Sequence, residues 1–98
     1  MRVRILSVAE IDLEDGYRFY EAQSPGLGSY FLDSLFSDID SLAFFGGIHP
    51  IVFGHHRLLS LRFPFAVYYR LIENGIVIFA VLDCRRNPCW IRKRLMDA

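Results

Sequence analysis

Three arginines in the second half of the chain are placed where they could bind an anion together. Arg57 and Arg70 lie beside or within apolar, aromatic-rich segments, and Arg85 follows the next apolar segment. Guanidinium groups bind carboxylates through paired hydrogen bonds, so a surface carrying all three would suit an acidic surface of a partner. A two-residue turn at Phe63-Pro64 would place Arg57 directly opposite Arg70. The alternative is that each arginine pairs with a carboxylate of a helix or is simply solvated.

The element that must position these arginines is a predicted β-hairpin centred on Asn74-Gly75. Asn-Gly between two β-branched, aromatic-rich segments is a strong hairpin signal, because a type I′ turn needs positive φ at both central residues. The turn joins the segments Phe65–Ile72 and Ile76–Leu82. A two-residue turn at this point predicts a register with Tyr69 opposite Ala80.

Alternation along the hairpin predicts two faces of different character. One face is nearly all apolar and is predicted to be core: Phe65, Val67, Tyr69, Leu71, Ile78, Ala80, Leu82 and Cys84. The other face mixes aromatic, aliphatic and charged side chains and is predicted to meet a partner: Ala66, Tyr68, Arg70, Ile72, Val77, Phe79, Val81, Asp83 and Arg85. On that face Tyr68, Phe79 and Val81 would form an apolar groove for a partner segment, unless a closing helix covers them.

The start of the chain reads as a short strand followed by a helix. Ser7 followed by Glu10 matches a capping box, so the helix is predicted to begin near Val8. Apolar residues then recur at helical spacing: Ala9, Leu13, Tyr17 and Tyr20.

A second helix has the clearest apolar stripe in the chain. Ser24 can cap this helix with Pro25 in its first turn, and Gly46-Gly47 is predicted to end it. Its stripe is interpreted as core: Phe31, Leu32, Leu35, Phe36, Ile39, Leu42 and Ala43.

The remaining segments complete an α+β pattern. A strand is predicted over roughly Val52 to Arg62, ahead of the hairpin, and Pro88 can begin a short closing helix. The order strand, helix, helix and three strands predicts a two-helix hairpin packed on one face of a mostly antiparallel four-stranded sheet, followed by a short C-terminal helix. In that last segment Arg86 is a further candidate contact, and Trp90 is a natural anchor for a partner.

Length and composition narrow the class of protein. The 98 residues suit a single domain, 1–98. No apolar run approaches the roughly 18–20 residues that span a bilayer, and the N-terminus becomes acidic too early for a signal peptide, so a cytoplasmic protein without a membrane partner is expected. Cys84 and Cys89 are interpreted as free thiols. Two cysteines lack the second pair that a metal site would need, and the adjacent His55 and His56 would point to opposite faces of a strand, so no metal is predicted. No cofactor is expected either.

The formal net charge of zero conceals an uneven distribution. Residues 1–50 hold 3 basic and 8 acidic side chains, whereas residues 51–98 hold 8 basic and 3 acidic ones. Such asymmetry points to an anionic partner for the basic half. The alternative is that the two halves neutralise each other in the folded molecule.

Several segments, taken in order, resemble the RelE/ParE superfamily of bacterial toxins. The resemblance is closest to the ParE, or plasmid stabilisation, branch. It spans nearly the whole chain, and its residues are Tyr17 with Tyr20, Pro25–Gly28 with Phe31-Leu32, Gly54 to Arg57, Arg62–Tyr69 and Ala80 to Trp90. No single motif is diagnostic, but the series is specific.

The resemblance implies a toxin from a type II toxin–antitoxin module, neutralised by a cognate antitoxin. ParE-like members inhibit DNA gyrase by binding it, whereas RelE-like members cut mRNA on the ribosome. The candidate contacts with antitoxin or target are Arg57, Tyr68, Arg70, Phe79, Val81, Arg85, Arg86 and Trp90. A third alternative is an inactive toxin that binds only its antitoxin.

The residues at the nuclease positions favour the ParE-like branch. Arg57 and Arg85 fall on basic positions of the ribonuclease pattern and would be its phosphate clamps. Two further basic positions hold Leu59 and Ala66, and Trp90 falls at or beside the position of a proton-donating tyrosine. Since each lost transition-state contact commonly costs about 2–4 kcal/mol, the resemblance implies a poor nuclease.

Overall fold

Residues 1–97 are described by a computed structural model, with three helices and five strands in that range. In chain order the elements are β1 (Arg2–Ile5), α1 (Ser7–Gln23), α2 (Leu27–Phe45), β2 (Ile51–Val52), β3 (His55–Leu59), β4 (Phe65–Ile72), β5 (Gly75–Asp83) and α3 (Pro88–Met96). None of these helices combines the length and the apolar character that crossing a bilayer requires.

The strands form one mixed sheet in the order β1-β5-β4-β3-β2. β1 runs parallel to β5, and the other neighbouring strands are antiparallel. The predicted α+β layout is confirmed, but the sheet has five strands and not four. The segment predicted as one strand forms both β2 and β3, because Phe53 and Gly54 have positive φ angles of 52° and 79° and turn the chain between them.

Two apolar clusters hold the layers together. On one face of the sheet, α1 and α2 bury the larger cluster: Ala9, Leu13, Tyr20, Phe31, Leu35, Ile39, Leu42, Phe63, Phe65, Val67, Tyr69, Ile76, Ile78 and Val81. On the other face, α3 buries the smaller one: Ala66, Tyr68, Ala80, Leu82, Ile91 and Leu95. The stripe predicted on α2 is therefore mostly core, although Phe36 is 41% exposed.

Small residues bring α1 and α2 close together. A Cβ atom at Gly16 would lie 2.5 Å from the ring of Phe31, so only glycine lets that ring pack against α1. Gly28 approaches the backbone of Tyr17 in the same way. Gly16 weakens α1 as an isolated helix, but it permits the helix–helix contact on which the larger cluster is built.

Both long helices begin differently from the sequence-based expectation. Ser7 is the first residue of α1 and does not cap it, since Leu6 occupies the capping position without a side-chain hydrogen bond. At the start of α2 the capping residue is Gly26, with a φ of 87°, and not Ser24. The carboxylate of Glu21 on α1 accepts the N–H groups of Gly26 and Gly28 at 2.9–3.1 Å and takes the place of a local cap.

The hairpin turn lies one residue earlier than predicted. Glu73 and Asn74 form the turn, Ile72 is opposite Gly75, and Glu73 has a φ of 55°. Gly75 is instead the first residue of β5, where it is opposite Arg2 of the parallel strand β1. The pairing with β1 therefore overrides the local preference for an Asn-Gly turn.

A β-bulge shifts the register further along the hairpin. Tyr69 is opposite Ile78 and Tyr68 is opposite Ala80, so Phe79 has no direct partner. An unpaired residue of this kind reverses the alternation of the strand beyond it.

The reversal exchanges the predicted faces of the β5 side chains from Ala80 onward. Val81 packs in the larger cluster under α1 and α2, whereas Ala80 and Leu82 pack under α3. The prediction is wrong for these three residues of β5. It is confirmed for β4, where Phe65, Val67 and Tyr69 face α1 and α2.

One carboxylate links α1, β5 and α3. Asp12 accepts the backbone N–H of Val81 at 3.0 Å, and it binds the guanidinium of Arg94 through two hydrogen bonds of 2.8 Å. Asn87 caps α3 by accepting the N–H of Cys89, and Pro88 begins the helix as predicted. The end of β5 that extends beyond β1 is thus tied to both helical layers.

We predict that Gly16→Ala lowers the free energy of unfolding by about 1–3 kcal/mol, because the added methyl group displaces the Phe31 ring. Alanine has a higher helix propensity than glycine, so the same change in an exposed helix would stabilise it. A loss of stability here would therefore come from the steric contact. Urea denaturation of the single variants and of Gly16→Ala with Phe31→Leu gives the measurement. If the methyl group displaces the Phe31 ring, the smaller leucine should recover part of the stability lost in Gly16→Ala. A double variant whose loss of stability equals the sum of the two single losses would contradict the contact.

We also predict that Asp12→Ala loosens α3. Removing the carboxylate leaves the half-buried Arg94 guanidinium and the Val81 N–H without their partner, at a cost of about 2–4 kcal/mol. Hydrogen exchange should show greater opening in α3 than in α2. As a matched control, Asp40→Ala removes an exposed carboxylate that makes no hydrogen bond or salt bridge within residues 1–97, and it should leave α3 unchanged.

Candidate interaction face

The sheet face opposite α1 and α2 is called the open face. Its strand side chains, assigned from the register and the two clusters, are Arg2, Arg4, His55, Arg57, Leu59, Ala66, Tyr68, Arg70, Ile72, Val77, Phe79, Ala80 and Leu82. One end of this face is covered, because Ile91 and Leu95 of α3 pack on its apolar residues. Arg2, Arg4 and Arg70 lie on the part that α3 leaves uncovered, whereas Arg57 lies at its border, opposite the covered Tyr68.

Arg4 and Arg70 flank the middle of the open face. Arg4 is opposite Val77 of β5, and Val77 is in turn opposite Arg70 of β4. With strands about 4.8 Å apart, the two arginines start about 10 Å from each other in one row across the sheet. Sequence analysis identified Arg70 as a candidate but missed Arg4. The signal was present in the alternation Arg-Val-Arg-Ile of β1, whose Val3 and Ile5 pack on the larger cluster.

Arg57 lies on the open face opposite Tyr68, and not opposite Arg70 as predicted. The predicted register fails because residues 60–64 form a longer connection than a two-residue turn. The Nε atom of Arg57 is buried and has no hydrogen-bond partner. Burial raises the pKa of the Tyr68 phenol, and this effect outweighs the opposing charge of Arg57, so the hydroxyl is neutral at physiological pH.

Arg70 is held in place by two contacts. Its Nε donates a hydrogen bond to the carbonyl oxygen of Gly54 at 3.2 Å, and its guanidinium carbon lies 5.3 Å from the centre of the Phe79 ring. His55 also packs against Phe79, with ring centres 5.0 Å apart. The prediction that Phe79 shares a face with Arg70 and Tyr68 is confirmed by these contacts and by the register.

The other predicted members of the site lie elsewhere. Val81 is in the larger cluster, as the bulge requires. Arg85 binds Asp83 through hydrogen bonds of 2.7–3.3 Å and lies next to Tyr20 of α1. Hydrogen bonding to Arg85 lowers the pKa of the Asp83 carboxyl despite the burial that opposes it. The prediction that Arg85 joins Arg57 and Arg70 is therefore wrong. Arg85 does pair within the chain, but with a carboxylate of β5 and not with the helix carboxylate of the alternative.

The predicted apolar groove is also wrong, because α3 covers Tyr68, which is 2% exposed. Two candidate residues remain accessible at the start of α3. The guanidinium carbon of Arg86 lies 4.1 Å from the centre of the Trp90 ring, and Trp90 is 40% exposed. This stacked pair belongs to the edge of the molecule between α1 and α3, next to Asp12 and Arg94.

Charge is separated between the two sides of the sheet. The 8 acidic residues of the first half all lie on α1 and α2. On the open face, the described strand residues include no carboxylate, and within residues 1–97 no carboxylate lies within salt-bridge distance of Arg2, Arg4, Arg57 or Arg70. The alternative that the two halves neutralise each other is therefore limited to contacts such as the one between Asp12 and Arg94.

We predict that the free energy of unfolding falls as the pH drops below about 6.5. Burial lowers the pKa of both His49 and His55 in the folded protein, so the unfolded state binds more protons below the ordinary histidine pKa. This contribution to stability is present above pH 6.5 and is lost as the pH falls toward the pKa values of the two histidines in the folded protein. Denaturation at pH 5, 6, 7 and 8 measures the effect. His55→Gln should reduce the dependence, and an unchanged dependence would contradict the contribution of His55.

The fold matches that of a known toxin–antitoxin structure. A chain of the solved structure described as "Chromosomal ParDE TA system from P. aeruginosa" superposes with a TM-score of 0.73 and 23% sequence identity, over 83% of this chain and 92% of that chain. No protein-family model and no curated protein matches the sequence. At this identity the likeness concerns the fold alone. The predicted resemblance to a ParE-like toxin is thus confirmed as a shared fold.

Proposed function

We propose that this protein is the ParE-like toxin of a type II toxin–antitoxin module. Residues 1–98 form a single toxin domain that acts in the cytoplasm without a cofactor. The toxin inhibits growth by binding a cellular target, DNA gyrase, and a cognate antitoxin neutralises it.

The observation that carries the proposal is the fold shared with a chain of a ParDE system over most of both chains. The order of the resembling sequence segments supports it independently, since they span the same helical hairpin and sheet. The unpaired arginines of the open face provide a surface for binding an acidic protein. Binding suffices for a toxin of this kind, so no catalytic group is required.

The arrangement of the arginines gives less support to an mRNA endoribonuclease. Arg57 lies on the open face, whereas Arg85 is on the α1 side and is paired with Asp83. In this arrangement the two guanidinium groups cannot bind one phosphate from a common surface. The neighbouring positions on the open face hold Leu59 and Ala66, which supply no positive charge to stabilise the phosphate in the transition state of RNA cleavage.

A groove between α1 and α2 supports an antitoxin partner. It has a volume of about 380 Å³ and is lined by Glu10, Leu13, Glu14, Tyr17, Arg18, Leu32 and Phe36. Its apolar floor fits one face of an amphipathic helix, and its carboxylates would attract basic residues beside that face. We propose that an antitoxin helix of this type occupies the groove.

Growth and supercoiling assays test the proposed function. Induced expression in a bacterial host should arrest growth, co-expression of the neighbouring antitoxin gene should restore it, and the purified protein should inhibit gyrase supercoiling. Because Arg57 and Arg70 are unpaired on the open face, Arg57→Ala with Arg70→Ala should weaken gyrase inhibition by about tenfold or more. Arg62→Ala, which changes an exposed loop arginine, is the matched control.

Three results would overturn the proposal. Ribosome-dependent mRNA cleavage with no effect on gyrase would identify the endoribonuclease alternative. Antitoxin binding without any effect on growth would identify an inactive toxin. Equal loss of inhibition in the Arg62→Ala control would exclude the open face as the binding surface.

A further inference from the structure

We infer that four arginines of the open face form a docking surface for an acidic polypeptide segment. Arg4 and Arg70 make its centre, and Arg2 and Arg57 extend it along β1 and β3. The inference deepens the proposed function by naming the chemistry of the partner, and it rests on that function only for the biological role of the segment. Its physical basis is the charge and geometry of the face.

The first step is electrostatic. Four guanidinium groups share a sheet face on which the described strand residues carry no acid, and the acidic residues of α1 and α2 lie behind the sheet. Glu73 of the hairpin turn lines a cleft with Arg2 and Arg4 but lies outside salt-bridge distance of both. Like charges held on one surface repel one another unless an anion lies among them. A surface on which arginines without a carboxylate partner outnumber the acids therefore attracts a segment of opposite charge.

The second step is geometric. Arg2 and Arg4 are separated by one residue on an extended strand, so their backbone positions repeat every 6.8 Å or so. Acidic side chains at alternate positions of an extended polypeptide have the same repeat. Each guanidinium can then take a carboxylate through two parallel hydrogen bonds.

The third step concerns the rigidity of the surface. Arg70 is fixed against Phe79 and the Gly54 carbonyl, so it loses little freedom when a partner binds. The buried, unpartnered Nε of Arg57 shows that this side chain is also partly withdrawn from water. Preorganised cations of this kind favour a specific contact over diffuse attraction.

The aromatic residues favour a polypeptide over single-stranded nucleic acid. Proteins bind single strands by stacking bases on exposed aromatic rings next to a basic groove. On the open face, Phe79 already packs against both Arg70 and His55, and Tyr68 is 2% exposed under α3. The strand residues of this face therefore offer charge without a free stacking platform.

Fluorescence anisotropy with two labelled probes tests the inference. One probe is a twelve-residue peptide that alternates glutamate with serine, and the other is an oligothymidylate of equal charge. We expect the peptide to bind the wild-type protein more tightly than the oligonucleotide does, with an affinity that falls as salt is added. Arg4→Glu with Arg70→Glu should weaken peptide binding at least about tenfold.

A charge-matched control separates the face from the overall charge of the protein. Arg62→Glu with Arg92→Glu makes the same change in net charge at exposed arginines of a loop and of α3, outside the strands of the open face, and should alter peptide affinity by less than about twofold. Circular dichroism verifies that each variant is folded. If Arg4→Glu with Arg70→Glu does not fold, the milder Arg4→Gln with Arg70→Gln replaces it. Absence of peptide binding, tighter binding of the oligonucleotide, or equal losses in the control would overturn the inference. Peptide binding by a protein that leaves growth unaffected would instead count against the proposed function alone.

Discussion

A single extra residue in β5 determines how this molecule is assembled. Phe79 has no partner on β4, so the side chains beyond it exchange faces. Val81 enters the core under the long helices, and Ala80 and Leu82 turn toward α3. Without this bulge, α3 would meet a different set of side chains, and the N–H of Val81 would not be directed at Asp12.

The contact made by Asp12 depends on this geometry. β1 pairs with β5 only as far as Ile78, and the Val81 N–H lies beyond that pairing. Asp12 of α1 accepts this N–H and also holds Arg94 of α3, so one carboxylate closes an otherwise unpaired strand edge and positions the terminal helix. α3 in turn covers the apolar end of the open face and leaves the arginine-bearing end accessible. The boundary of the proposed docking surface is thus set by an interaction on the other side of the sheet.

The molecule combines an acidic helical layer with a basic sheet face. This separation gives the two proposed partner surfaces opposite chemistry: an apolar groove with carboxylates between α1 and α2, and a row of arginines on the open face. A partner with a basic amphipathic helix and an acidic extended segment could engage both. The same separation lets a protein of zero net charge present a basic surface.

Local sequence signals determined much of the architecture. The apolar stripe of α2, the Gly46-Gly47 ending, Pro88 at the start of α3 and the alternation of β4 were all readable, because each depends on neighbouring residues. The resemblance over nearly the whole chain correctly indicated the ParE-like fold, and strand alternation identified Arg57 and Arg70 as candidates on one face.

Only the tertiary structure decided which side chains share a surface. The parallel pairing of β1 took Gly75 into β5 and moved the turn to Glu73-Asn74, and the bulge at Phe79 then redirected Val81. Pairing with Asp83 removed Arg85 from the site, whereas β1 contributed Arg2 and Arg4. These outcomes follow from contacts between residues far apart in the chain, and a local pattern of residue types does not specify the register of such contacts.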